Sequence, residues 1–233
     1  MPTFSDLARA AYCPRQLYYA RREDDHEPPA TVRDRIDLAY RYRDLRGADD
    51  DVLAGLPIDR PPGAYRAALE NLAEREDWPH LADPPHERTF LQGKDCRGIA
   101  YKILPGGEGA NDEEQSGARA GEPPVPTVVS PGEPPERGVW KPQRVRAVAV
   151  ANALAWERER PVERALVEYP ASGVVRTVRL TTRNCAAYRE ALRTVRSLDG
   201  PPRRLHDRSK CGACEYRTAC GVKTRSLRSL LGL

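Results

Sequence analysis

The sequence predicts an α/β fold, and three stretches predict it. Residues 142–160 run apolar and alanine-rich for several turns behind Pro142 and end on alternating Glu and Arg, the pattern of a largely buried helix. Residues 164–180 alternate faces on either side of Ala171-Ser172-Gly173, which reads as a β-hairpin. Residues 88–104 carry β-favouring side chains punctuated by Gly93 and Gly98, which reads as strand, turn, strand. A short apolar run at 126–130 supplies a further strand for the core sheet.

The remaining elements follow in order. Residues 4–12 form a short helix with Ser5 as its N-cap, ended by the residue before Pro14. Residues 31–46 and 62–78 are two charged helices with thin apolar stripes, separated by prolines and by Asp49-Asp50-Asp51, read as a solvated turn. Between 105 and 136 periodicity disappears and seven acids face one arginine, the composition of a flexible acidic loop around the 126–130 strand. Thr181 or Thr182 caps a helix running to about residue 198, and Gly200-Pro201-Pro202 breaks it. The chain thus divides into a helical region with Cys13 (1–87), an α/β core (88–200) and a basic cysteine segment (201–233).

A chain of 233 residues with 39% hydrophobic content buries a sizeable core. It has no run of 18 or more apolar residues and no signal-peptide pattern at its start, so the expectation is a cytoplasmic protein with no membrane partner. Reduced thiols are the rule there, and clustered cysteines mean metal or catalysis rather than disulfides. The net charge of +4 is unevenly spread. Arg203, Arg204, Arg208, Lys210, Arg217, Lys223, Arg225 and Arg228 stand against Asp207 and Glu215, a basic patch of the kind that holds a phosphate backbone.

Cys211, Cys214 and Cys220 fall within ten residues at C-x2-C-x5-C spacing, and they ask for a metal and a fourth ligand. Cys13, beside Arg15 at a helix end, is the candidate, because nearby positive charge favours thiolate. Structural zinc sites usually bring two close pairs of ligands, whereas one thiol plus three suits an iron–sulfur cube. Spacing leaves both metals open. Cys185 has no partner spacing and reads as a small buried residue.

Tyr12-Cys13-Pro14-Arg15-Gln16-Leu17-Tyr18 at one end and the three cysteines at the other resemble the CRISPR-associated, four-cysteine exonucleases of the RecB-like PD-(D/E)xK nuclease superfamily. The helix beginning at Trp140-Lys141-Pro142-Gln143 and the hairpin 167–176 are similar landmarks between them. The resemblance implies a restriction-endonuclease-like core of mixed sheet and flanking helices, with an N-terminal helical insertion. It also implies a 4Fe-4S cluster on Cys13, Cys211, Cys214 and Cys220, DNA (single-stranded or ends) as the partner, and a place beside CRISPR adaptation or repair proteins. The family cuts with an aspartate on one strand and Glu-x-Lys on the next, holding Mg or Mn and orienting water. Here Cys96 stands where the aspartate belongs and Asp95 comes one residue early, on the opposite face of a strand. Val128 and Ser130 replace Glu and Lys, while Gln143 matches the family's helix glutamine. The reading is therefore an iron–sulfur DNA-binding protein with a degenerate nuclease centre. Two alternatives share its residues: an active Mg- or Mn-dependent exonuclease drawing carboxylates from 108–114, and a structural or redox iron–sulfur protein with no nucleic-acid partner.

Overall fold

The computed structural model describes residues 1–23, 28–105, 123–205, 209–212 and 214–221. Its centre is a five-stranded mixed sheet in the order β1 (His86–Gln92), β2 (Arg97–Leu104), β3 (Val125–Val129), β4 (Arg164–Tyr169) and β5 (Val174–Arg179). Neighbours run antiparallel except β3 and β4, which are parallel and joined through the long helix α8 (Lys141–Glu157). A parallel pair needs such a crossover, and alanine-rich 142–160 supplies it.

One face of the sheet carries α1 (Phe4–Tyr12), α8 and α9 (Thr182–Arg196), around a core that includes Phe4, Leu7, Val128, Val148, Leu154, Val167 and Leu192. The small side chains of α8 let other elements approach closely: a Cβ built on Gly93 would lie 2.7 Å from the Ala153 Cα. The opposite face carries α4 (Tyr42–Arg46), α5 (Asp50–Ala54), α6 (Pro62–Ala73) and α7 (Trp78–Ala82), around Tyr42, Tyr65, Leu69, Leu104, Val129 and Leu166. No helix among the described residues is long and apolar enough to cross a membrane.

Several expectations hold. The strands, the crossover helix, the hairpin and the helix capped by Thr181 stand within a few residues of their predicted limits, and Gly173 closes the hairpin at φ +63°. Others are corrected. Thr3, not Ser5, caps α1: its hydroxyl accepts from the Asp6 amide at 3.0 Å while the Asp6 carboxylate accepts from the Thr3 amide at 3.1 Å, a reciprocal pair that Ser5 does not form. Asp49, Asp50 and Asp51 begin α5 rather than form a turn, with the acids at the positive end of the helix dipole and Asp50 paired to Arg66 at 2.6 Å. The stretch 31–46 is broken into α3 (Ala30–Asp37), a single 3-10 turn at Leu38–Tyr40, and α4. There the Ala39 carbonyl turns away to accept from the Lys102 ammonium at 2.6 Å. The stretch 62–78 likewise stops at Ala73, and Asp77 bends back to Arg75 (2.7 Å) and Arg164 (2.9 Å).

Candidate functional site

Cys13 sits where α1 meets α2 (Pro14–Ala20), in an extended conformation with its amide donating to the Arg9 carbonyl at 2.8 Å. Pro14 causes the break, because its ring excludes helical backbone at the residue before it. The C-terminal cysteine segment docks onto this corner. The Tyr12 hydroxyl donates to the Lys210 carbonyl at 3.0 Å, under the Lys210 ammonium 5.3 Å from its ring. The Tyr19 hydroxyl donates to the Ala219 carbonyl at 3.1 Å, and the Tyr19 ring stacks on Tyr216 at 5.9 Å. Arg15 ties the corner together: Nε donates to Cys220 Sγ at 3.1 Å, Nη1 to the Pro202 carbonyl at 2.9 Å and Nη2 to the Tyr19 hydroxyl at 3.0 Å. Tyr216, itself buried, donates to Glu23 at 2.7 Å.

Cys13, Cys211, Cys214 and Cys220 are all free thiols, each half-buried. Burial pushes the Cys214 thiol up; the Tyr216 amide pulls the other way, and the charges of Cys13, Glu215 and Cys211 add to the rise. The same thiols act on Tyr12, whose hydroxyl is raised first by burial and then by Cys214, Cys13 and Cys211. Thiolates brought together repel one another, and a bound cation would relieve the repulsion. In donor type the corner fits a thiolate-ligated group. As placed, no three His, Cys, Asp or Glu side chains among the described residues close around a single ion.

The positions compared with a nuclease centre are less concentrated. Asp95 is not on a strand; it lies in the turn between β1 and β2 and pairs with Arg196 at 2.6 Å. Cys96 is buried in that turn, with its thiol 3.9 Å from the Ala149 carbonyl and 3.6 Å from the Tyr188 hydroxyl. Ile103 faces Pro126 and Leu104 faces Val125 where β2 meets β3. Val128 is core, and the buried Ser130 accepts from Gln143 Nε2 at 3.3 Å. Ser and Val at these places hold no cation. The acids of 108–114 lie outside the described residues.

Of the basic residues, Arg203, Arg204, Lys210 and Arg217 are exposed around the thiol corner, while Arg208, Lys223 and Arg225 lie outside the described residues. Cys185 is half-buried rather than core, with its thiol donating to the Leu180 carbonyl at 3.7 Å.

Sequence reasoning missed a charged group inside the sheet. Lys102 on β2 and Glu168 on β4 are both 0% exposed and 2.8 Å apart. The ammonium donates also to the carbonyls of Ala39 (2.6 Å) and Leu81 (2.8 Å), and Thr127 donates to the other Glu168 oxygen at 2.6 Å. Every ammonium proton has an acceptor, and the Tyr42 ring face lies 4.7 Å from the charge. Burial first, and Glu168 next, hold the Tyr42 hydroxyl well above its ordinary titration range. The signal was available: one lysine in the apolar run 99–104 and one glutamate in the apolar run 165–169. No family model and no curated protein matches this chain.

Proposed function

We propose that this protein is an iron–sulfur DNA-binding protein, a catalytically silent relative of the CRISPR-associated four-cysteine exonucleases. Cys13, Cys211, Cys214 and Cys220 would hold a 4Fe-4S cluster, and Arg203, Arg204, Lys210 and Arg217 would meet DNA beside it. One observation carries the reading. Two segments two hundred residues apart meet at a corner where Arg15 bonds both a cysteine thiol and the chain just before the cysteine motif. Charge at the thiols is what a cluster compensates, and closing that loop would pin the basic segment to the core whether or not the protein cuts.

The strand order is compatible with a restriction-endonuclease-like core: three antiparallel strands, a crossover helix, then a parallel fourth strand. The silence rests on chemistry. A divalent cation at such a centre needs carboxylates, and the positions at issue carry Cys96, Val128 and Ser130. Protein purified without oxygen should be brown, with four irons and four sulfides per chain, and should bind labelled single-stranded DNA without cutting it in the presence of Mn. Colourless protein with one zinc would sink the cluster, and Mn-dependent cleavage stopped by EDTA would overturn the silence.

A further inference from the structure

Cys96 and Cys185 make the contacts of neutral thiols. The Cys185 thiol donates to the Leu180 carbonyl at 3.7 Å, and the Cys96 thiol lies 3.9 Å from the Ala149 carbonyl and 3.6 Å from the Tyr188 hydroxyl. Cys220 differs: its sulfur faces Arg15 Nε at 3.1 Å, and because a guanidinium has donors and no acceptor, the sulfur is the acceptor. The other two bonds of Arg15 go to neutral groups, the Pro202 carbonyl at 2.9 Å and the Tyr19 hydroxyl at 3.0 Å, and its guanidinium lies 5.7 Å from the centre of the Tyr19 ring. They hold the planar fork so that Nε is already aimed at the sulfur. The backbone around Cys220 is held as well. The Tyr19 hydroxyl donates to the carbonyl of Ala219, one residue earlier, and the Cys220 amide donates to the Tyr216 carbonyl at 2.8 Å.

A neutral thiol is a weak acceptor, so a fixed cation set on it serves the sulfur in its charged, ligating form. We propose that Arg15 is a positioning residue for the thiol corner: it orients Cys220 as a ligand and draws charge from its sulfur, so that a 4Fe-4S cluster held there is reduced more easily and lost more slowly. This rests on the iron–sulfur reading above and adds an asymmetry to it. Among the described residues, Cys220 is the one of the four cysteines whose sulfur accepts from a side-chain cation. Hydrogen bonds to cluster sulfurs tune the reduction potential, and groups that orient a ligand govern how firmly the metal is kept. A residue that only docked the C-terminal segment would act through Pro202 and Tyr19 and leave the sulfur's charge alone. The reduction potential therefore separates the two roles.

The test is a spectroelectrochemical titration of the full chain purified without oxygen, with bleaching of its visible absorption in excess iron chelator as a second readout. Arg15→Gln should lower the potential and speed cluster loss about tenfold, the low end of what removing a ligand-orienting group costs. Arg15→Lys keeps the charge and loses the fork, and should recover part of both effects. Tyr216→Phe loosens the same segment by removing the 2.7 Å bond to Glu23 without touching a sulfur, and should leave the potential where it is. An unshifted potential and lifetime in Arg15→Gln would overturn the assignment, and so would an equal fall in Tyr216→Phe, which would make docking alone the cause. Should Arg15→Gln retain no iron, Arg15→Lys decides: its potential should sit below that of the unaltered protein, and an unshifted value would overturn the assignment. Colourless unaltered protein would defeat the iron–sulfur reading and the role of Arg15 together, whereas brown protein with unmoved variants would defeat the role of Arg15 alone.

Discussion

Replacing Lys102 by methionine should cost the fold about 3–5 kcal/mol, the usual penalty for removing one partner of a buried ion pair. Lys102 and Glu168 are both 0% exposed, so no water can solvate the carboxylate left behind. The same change strands the Ala39 and Leu81 carbonyls, which accept from the ammonium at 2.6 and 2.8 Å; each buried acceptor left open costs about 1–3 kcal/mol. Methionine matches the lysine stem in length, so cavity formation adds little. The exposed pair Arg196 and Asp95, at a shorter 2.6 Å, should contribute no more than about 1 kcal/mol, because solvent screens it. Urea denaturation followed by circular dichroism measures both. Adding Glu168→Gln to Lys102→Met should recover part of the loss, since it removes the orphaned charge while keeping an acceptor for Thr127. A loss below about 1 kcal/mol for Lys102→Met, or no recovery in the double variant, would refute the claim that these buried charges stabilise each other.

Three further outcomes follow from packing and capping. Gly93→Ala should destabilise by about 1–3 kcal/mol, because the new methyl would stand 2.7 Å from the Ala153 Cα and 2.9 Å from its Cβ, and Ala153→Gly should relieve part of it in thermal melts. Thr3→Ala should cost about 1 kcal/mol through loss of the capping box on α1, whereas Ser5→Ala should cost markedly less in the same melts. Cys96 should resist alkylation in the native protein at neutral pH, since burial raises its thiol above the usual range despite an opposing Tyr188 hydrogen bond, and alkylation needs the thiolate. Its titration would have to be passed from below before it reacted. Mass-spectrometric mapping that finds Cys96 labelled before unfolding would contradict this.

What was legible in the sequence was set by local chemistry. Alternation placed the hairpin, alanine content and Pro142 placed α8, and Pro14 placed the break at Cys13. Boundaries went astray where a distant partner competed for a local group. Ala39 gives its carbonyl to Lys102 and ends a helix that continues on periodicity alone, and Asp77 bends back to two arginines and ends another. Strand register was not legible either. Twenty residues separate β2 from β3, so spacing alone left their pairing open, and the structure sets Ile103 against Pro126 and Leu104 against Val125.

By itself, the amino-acid order determined the α/β class and the main strands and helices, because propensity and periodicity act over a few neighbours. Tertiary structure alone decided that Arg15 would reach Cys220 and that Lys102 would find Glu168 in the core. Those pairings depend on which surfaces the folded sheet brings together. Side chains of opposite charge or unmet hydrogen-bonding capacity find one another only after that packing has excluded water between them.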